Sequence, residues 1–597
     1  MELRNKITFG ERNLMKKIIF ILLVCILMAA CTNTNTAQIK KVENQENVLF
    51  YDRDEKIAHN KEFDKGSGIK SIDMNEKNVE NIFALAKVWG YLKYYHPNVA
   101  QGEYNWDYEL FRVLPKVINI DSTEERDKIL CAWIDSLGSF ESINEGEPNT
   151  IPVLEYKFSD DLENRLLNIQ NAKRENSNFY VSLVDEVGNP NFINEKAYSL
   201  MGYPDAGYRL LALFRYWNII EYYFPYKHLI EENWEEVLKE FIPKFINASN
   251  ELEYKLSVLE LIGRIHDTHA NIWSNDKTLE RYWGEKYAPV IITFVENKAV
   301  VTDYYHTKLG EKSKLKIGDI ITKINGVPVE EIVSNKLKYI PASNYPTQLR
   351  NIARVLLRTN DYVLHIELIH NEEIKSVDVA CYSASTLNLK RYYENLQKQK
   401  VFYKLIDSDI AYIYPEAVRD RELSEIMKEV ENTKGLIIDL RCYPSESIVY
   451  SLAEYLLPEN TEFVQYTVGS LLTPGHFTVK GTLSVGKKNE DYYKGKVIIL
   501  VNEKTQSHAE FTAMALRTAP EATVIGSTTA GADGNVSYFY LPGGILTAIS
   551  GIGIYYPDGS ETQRVGIVPD IEVKTTIAGV QLNKDELLEK AIKVINE

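Results

Sequence analysis

The sequence predicts a multidomain α + α/β chain: a helical N-terminal region built as a repeat, a small β domain, and a C-terminal α/β domain with a largely parallel sheet. Three observations predict it. Aromatic and aliphatic residues recur at helical spacing from about residue 80, twice over. Short β-type runs replace them from about Tyr287, and beyond residue 382 continuous apolar runs alternate with helical segments. A chain of 597 residues exceeds what one core can bury, and at roughly 150 residues per domain it should hold three or four domains. The expected divisions are 1–31 for an export signal, 32–75 for a flexible tether, 76–280 for the helical region, 285–380 for the β domain and 382–597 for the α/β domain.

The first 31 residues differ in kind from the rest. Lys16 and Lys17 precede an apolar run from Ile18 to Ala30 that ends in small residues before Cys31, the pattern of a secretory signal and too short for an ordinary membrane span. Leu27-Met28-Ala29-Ala30-Cys31 resembles a bacterial lipobox, which implies acylation of Cys31, contact with the membrane through that lipid anchor and a place in the cell envelope; an uncleaved anchor helix is the alternative. A Thr/Asn/Gln/Lys-rich stretch without a clear period follows and reads as the tether. Beyond the leader only Cys131, Cys381 and Cys442 remain, widely spaced, so no disulfide framework and no zinc site is expected. Lys+Arg number 68 against 84 Asp+Glu, a formal charge of −16, which excludes the basic footprint of a nucleic-acid binder.

The helical region repeats when the chain is laid over itself from Trp89 to Trp217, an offset of 128 residues. FALAKVWGYLKYYHP, from Phe83, then matches LALFRYWNIIEYYFP, from Leu211; Asn105-Trp106 falls on Asn233-Trp234 and Pro115-Lys116 on Pro243-Lys244. The apolar positions Phe83, Leu85, Ala86, Trp89 and Leu92 keep helical spacing, so the aromatics read as core rather than as a ligand cage. The second unit alone continues into RIHDTHANIW (Arg264 to Trp273), where the first has AWIDSLGSF and no histidine. His266 and His269, three apart on a helical segment, are also a conceivable metal pair, but no second ligand set accompanies them, and no metal or cofactor is expected.

In the β domain, VIITFV and AVVTDYY lead into LKIGDIITKINGVPV (Leu315 to Val329). Its Gly318/Asp319 turn, the strand Ile320 to Ile324 and the Asn325/Gly326 turn resemble the second half of a PDZ domain, which implies capture of an extended peptide at a sheet edge. A small β domain with an Asn-Gly hairpin is the plainer alternative. In the C-terminal domain Ile410 to Tyr414, Gly435 to Leu440, Val497 to Val501 and Thr523 to Ile525 are expected strands, and a helix over Lys584 to Ile595 is expected at the sheet edge.

The segment KVIILVNEKTQSHAEFTAMALRTAP (Lys496 to Pro520) holds a buried strand, a short polar turn, Ser507 and then a helix. A serine there lies where the helix start offers unpaired N–H groups and positive partial charge, as an acyl-transfer nucleophile requires; a helix-capping serine meets the same description.

Several ordered motifs resemble the C-terminal processing peptidases and the tricorn protease core, over roughly residues 255 to 575. TQSHAEFTAMAL resembles the nucleophile segment, with Ser507 three residues before Glu510; GLIIDLRCYPS (Gly435 to Ser445) resembles the strand and loop that help build the oxyanion hole; YYPDGSETQRVGIVPDIEV (Tyr555 to Val573) resembles the closing segment. The lysine that activates the serine in one branch would fall at Ala532, so it is missing. RIHDTHANIW resembles the tricorn-type alternative, in which a histidine preceded by a serine is the base, with Thr268 and His269 in those places. The resemblance therefore implies Ser507 as nucleophile, His269 as general base and Thr268 as its support. The backbone N–H of His508, with that of Cys442 or Tyr443, would form the oxyanion hole. The family's acidic orienting residue falls at Gln563, so either Glu561 takes that part or a neutral amide suffices. The implied function is a serine peptidase acting on peptides or unfolded protein tails in the cell envelope through an acyl-enzyme on Ser507. Two other functions fit: a non-catalytic lipoprotein that binds peptides or other ligands, and a hydrolase of non-peptide esters or amides.

Overall fold

The computed structural model describes residues 60–143, 152–390, 392–393 and 402–597. The expected export signal, Cys31 and the first part of the expected tether lie outside the described residues.

Six helices frame the N-terminal region: α1 (Glu76–Tyr95), α2 (Trp106–Val117), α3 (Thr123–Asp135), α4 (Ala206–Tyr223), α5 (Trp234–Asn247) and α6 (Glu251–Gly263). Each begins at an Asn, Ser or Asp whose side chain accepts a hydrogen bond from the first turn, namely Asn75, Asn105, Ser122, Asp205, Asn233 and Asn250. Helices α1 and α4 are buried nearly all round and form the centre. Trp89 and Trp106 donate their indole N–H groups to each other's carbonyls at 3.1 and 3.0 Å, and Trp217 and Trp234 do the same at 2.7 and 3.2 Å. Lys93, Glu195, Arg215 and Asp107 form a buried, charge-balanced cluster between these helices. The tether was expected to run to residue 75, but its described end is packed. Ser67 donates to Asp205 through both its N–H and its hydroxyl, and Ile69 and Ile72 are buried, because their apolar surface finds the helical core.

Five antiparallel strands form the main path of the β domain's sheet: β1 (Val290–Val295), β2 (Lys298–Tyr304), β3 (Ile320–Ile324), β4 (Val363–His370) and β5 (Glu373–Ala380), in spatial order β5-β4-β3-β2-β1, and Val327–Pro328 pairs with β3 beside it. Asn325 and Gly326 turn the chain after β3 with φ of 49° and 80°, which an Asn-Gly pair adopts at small cost. Helix α7 (Tyr345–Leu356) packs against edge strand β1. Tyr382 and Ser383 pair with Tyr287 and Lys286, so the β domain extends past the expected boundary at 380.

The C-terminal domain contains β6 (Tyr403–Ile406), β7 (Ile410–Ile413), β8 (Gly435–Asp439), β9 (Thr461–Gly469), β10 (Phe477–Val485), β11 (Lys496–Val501), α8 (His508–Leu516), β12 (Ala522–Gly526), β13 (Val536–Leu541), β14 (Ile545–Ser550), β15 (Gly553–Tyr555), β16 (Ile571–Glu572) and α9 (Glu586–Asn596). Its main sheet runs β6-β7-β8-β11-β12-β16 and is parallel except at the β6/β7 edge, in keeping with apolar runs buried on both faces. Helix α9 was expected at the edge but covers a face: Leu587, Ala591 and Ile595, spaced four apart, pack on Ile437, Ile498 and Ile525.

Two hairpins tie this domain to the helices. The β9–β10 tip meets α1 and α4, with Tyr95 donating to the Pro474 carbonyl and Gly475 N–H to that of Tyr222. The β13–β14 hairpin buries Phe539, Leu541, Ile545 and Ile549 in the helical core.

Candidate active site

Ser507 lies between β11 and α8, at the N-cap of the helix, with φ 54° and ψ −118°. A non-glycine residue is strained there, and such strain persists only where the surroundings hold it. Its N–H donates to the Ala532 carbonyl and to Glu510 Oε2, both at 3.0 Å. Glu510 also accepts from the Thr529 hydroxyl and from the N–H groups of Gly531 at 2.8 Å and Ala532 at 3.1 Å. One carboxylate one turn into α8 therefore fastens the serine backbone to the 529–532 loop. Burial pushes the Glu510 carboxyl up to about 7 against these hydrogen bonds, which favour the charged form. Asp533, on the same loop, is raised well above the usual carboxylate range by burial and by the neighbouring Glu510.

The loop after β8 carries the other expected donors. Arg441 grips Asp439 and Asp585 through paired hydrogen bonds and fixes the strand end. Cys442 is buried with its thiol directed at the Asp439 carbonyl at 3.3 Å, and the Tyr443 ring lies 6.2 Å from that of His508. The Leu440 carbonyl accepts from Thr505 Oγ1 at 2.7 Å, so this loop and the serine turn are joined. His508 opens α8 and its N–H is one of those a helix leaves unpaired within itself; burial pushes its ring down to about 4, so it is neutral.

His269 reaches the site from the helical region, although not on a helix as expected. Helix α6 ends at Gly263, His266 has φ 49°, and the chain then runs beside β14, with Ile272 bridged to Thr547 and Trp273 N–H donating to the Leu546 carbonyl. That course ends any helical spacing between His266 and His269, and no group of metal-binding side chains occurs among the described residues. The Thr268 hydroxyl donates to the Ala530 carbonyl at 3.0 Å and its N–H to Ser343 Oγ at 2.9 Å. Ala530 N–H donates to the Thr505 carbonyl at 2.9 Å, two residues before Ser507. The histidine segment and the serine turn are thus both hydrogen-bonded to one loop, residues 529–534. His269 Nδ1 is 2.9 Å from Ser550 Oγ, and its Nε2 is buried without a hydrogen-bond partner among the described residues. Burial lowers its pKa, and the nearby Asp267 opposes the shift.

The two acidic-position candidates separate. Gln563 Nε2 approaches Asp267 Oδ1 at 3.4 Å, beside the histidine, whereas Glu561 is 2.8 Å from His228 Nε2. Four residues that sequence reasoning did not assign converge here. Asp267 and Ser550 flank the imidazole; Asn344, at the start of α7, donates to the carbonyls of Thr529 and Arg564; and Arg350 donates to the Glu503 carbonyl and to Gln506, next to the serine. Asp267 stands inside the histidine motif and could have been noticed; nothing in the sequence marks the others. Ser507 and His269 are each only 1% exposed.

Residues 409–573 match the model of peptidase family S41. Over 144 residues the chain is 30% identical to a carboxyl-terminal-processing protease of Synechocystis sp. (strain ATCC 27184 / PCC 6803 / Kazusa), a match covering 24% of this chain and 31% of that protein. The chain therefore spans about a third of the curated relative. The structure of mature CPAF complexed with lactacystin superposes with a TM-score of 0.51 at 13% identity, covering 65% of this chain and 98% of that one. A second structure of mature CPAF gives 0.50 at 13% identity, with 65% and 96% covered. At such identity the likeness is one of fold. No helix among the described residues is long and apolar enough to cross a membrane.

Proposed function

We propose that this protein is a serine peptidase in which Ser507 attacks the scissile carbonyl and His269 Nε2 takes its proton. The observation that carries the proposal is the shared clamp: loop 529–534 accepts the Thr268 hydroxyl at the Ala530 carbonyl and the Ser507 N–H at the Ala532 carbonyl, while the buried Nε2 of His269 has no partner of its own among the described residues. The strained backbone of Ser507 and the start of α8 supply what acyl transfer needs, a firmly held nucleophile and N–H groups for the oxyanion. His508 N–H, with that of Cys442 or Tyr443, is the proposed donor pair.

The β domain would serve as the peptide-capturing, PDZ-like module. Strand β1 is a sheet edge bordered by α7, a geometry suited to strand addition, and α7 in turn contacts the serine loop through Arg350. The matched Trp89/Trp106 and Trp217/Trp234 bonds support reading the helical region as a duplicated unit of which the second copy supplies the base. Acylation at Cys31 would hold the enzyme in the cell envelope, with peptides or unfolded tails as substrates. A peptide-binding protein without turnover is the second reading, favoured by the neutral Gln563 where an acid is expected and by the closed site.

Incubation with a fluorophosphonate probe and with a library of unfolded peptides separates the two. The parent protein is expected to be labelled and to cleave, and Ser507→Ala to do neither while melting at the parent temperature. Cleavage unchanged in Ser507→Ala defeats the proposal; binding without labelling or cleavage by the parent selects the second reading.

A further inference from the structure

We propose that Asp267, acting through the hydroxyl of Ser550, is the positioning pair for His269, in place of an acid at 561 or 563; this rests on the serine-peptidase reading above. The geometry decides the direction of each hydrogen bond. Asp267 Oδ2 accepts from Ser550 N–H at 2.7 Å, and Oδ1 accepts from His269 N–H and from Ser550 Oγ, both at 3.0 Å. An ionised carboxylate can only accept, so the single Ser550 hydroxyl proton points at Asp267. The oxygen then offers a lone pair to His269 Nδ1, 2.9 Å away, and Nδ1 carries the ring proton. That choice leaves Nε2 bare, as a base must be, and Nε2 is the buried nitrogen without a partner among the described residues.

The ring and the carboxylate are 3.8 Å apart at Nδ1 and Oδ1, too far for a direct hydrogen bond, so the hydroxyl is the link. In the reaction the Ser507 proton moves to Nε2 and then to the leaving amine. Nδ1, Ser550 and Asp267 keep their own protonation throughout, and the aspartate charge steadies the imidazolium between the two transfers.

The pair also accounts for Gln563. Its amide nitrogen faces Asp267 Oδ1 at 3.4 Å, in a fully buried setting. A glutamate there would set a second carboxylate against the first, and two such groups cannot both stay ionised at close range. Glu561 meanwhile is turned to His228. The acid beside the histidine therefore comes from position 267 rather than 563, with Ser550 spanning the gap.

The test is the rate of fluorophosphonate labelling as a function of pH, which needs no known substrate, on the full chain and on Asp267→Asn, Ser550→Ala and Ser550→Thr. Asp267→Asn is expected to label roughly a hundredfold more slowly or worse, by analogy with loss of an orienting acid elsewhere. The midpoint of its acid limb should fall, because the negative charge that raises the imidazole pKa has gone. Ser550→Ala should be slowed about tenfold or more and Ser550→Thr, which keeps the hydroxyl, should recover most of the rate. Should Asp267→Asn fail to fold, the Ser550 pair of variants decides. Variants with the parent melting temperature, rate and acid limb overturn this inference alone. A parent protein that the probe never labels overturns it together with the peptidase reading.

Discussion

Residues 76–135 and 206–263 are built alike yet end differently. Both pair their tryptophans by exchanged indole bonds, both start their helices on Asn, Ser or Asp caps, and the third helix of each begins 128 residues from the other, at Thr123 and Glu251. After α3 the chain passes to an exposed strip where Glu141 pairs with Lys173 in solvent, whereas after α6 it runs under the β13–β14 hairpin and delivers Asp267, Thr268 and His269. The lesson is that helix packing is indifferent to the course the chain takes on leaving it. The proposed base lies in the unit whose exit meets the β13–β14 hairpin.

The largest expected effect breaks that comparison at its ends. His269→Ala should lower turnover by about a thousandfold, within the range for loss of a general base. Glu141→Ala, at the matching offset in the first unit, should leave turnover and melting unchanged; peptide hydrolysis and thermal melts measured side by side check both. Equal losses would mean that the two exits are not distinct in function.

Next in size are the shared parts. Trp89→Ala and Trp217→Ala each remove a buried indole and its hydrogen bond to a carbonyl at a helix start, and each should destabilise the fold by about 3–5 kcal/mol in denaturant titrations. A marked inequality would argue that only one unit carries the core.

The smallest effect concerns a position where a histidine in the first aromatic stretch is matched by a phenylalanine in the second. His96 corresponds to Phe224, and burial pushes its imidazole down to about 4. The unfolded chain binds that proton from about pH 6.5 downward and the folded chain only near 4, so stability is lost as pH falls between those values. His96→Phe should remove about 2 kcal/mol of the difference between unfolding at pH 7.5 and at pH 5. His508 is lowered alike and will leave a residual acid sensitivity in that variant.

Local chemistry explains how much could be read beforehand. The parallel strands were legible because runs such as Val497–Val501 are apolar on both faces, and the serine turn because a polar stretch separates such a run from a helix. His269 was legible from its motif, although the helix under it was not real: the 267–273 segment takes its form from β14, which the surrounding residues cannot announce. Ser550 was beyond reach for the same reason, since a lone serine at a strand end has no signature until a partner 281 positions away is placed against it. The place of Glu561 was missed because a histidine from another region, His228, competes for it.

The β13–β14 hairpin follows Ser507 along the chain, yet its apolar side chains pack in the helical core and it bears the serine that touches the imidazole. A growing polypeptide that has already exposed Ser507 therefore still lacks the serine that holds the imidazole, and its helical core lacks Phe539, Leu541, Ile545 and Ile549. Completion of the helical core and placement of the proposed base then become one event, which would spare the nascent chain and its neighbours from premature attack by the proposed peptidase.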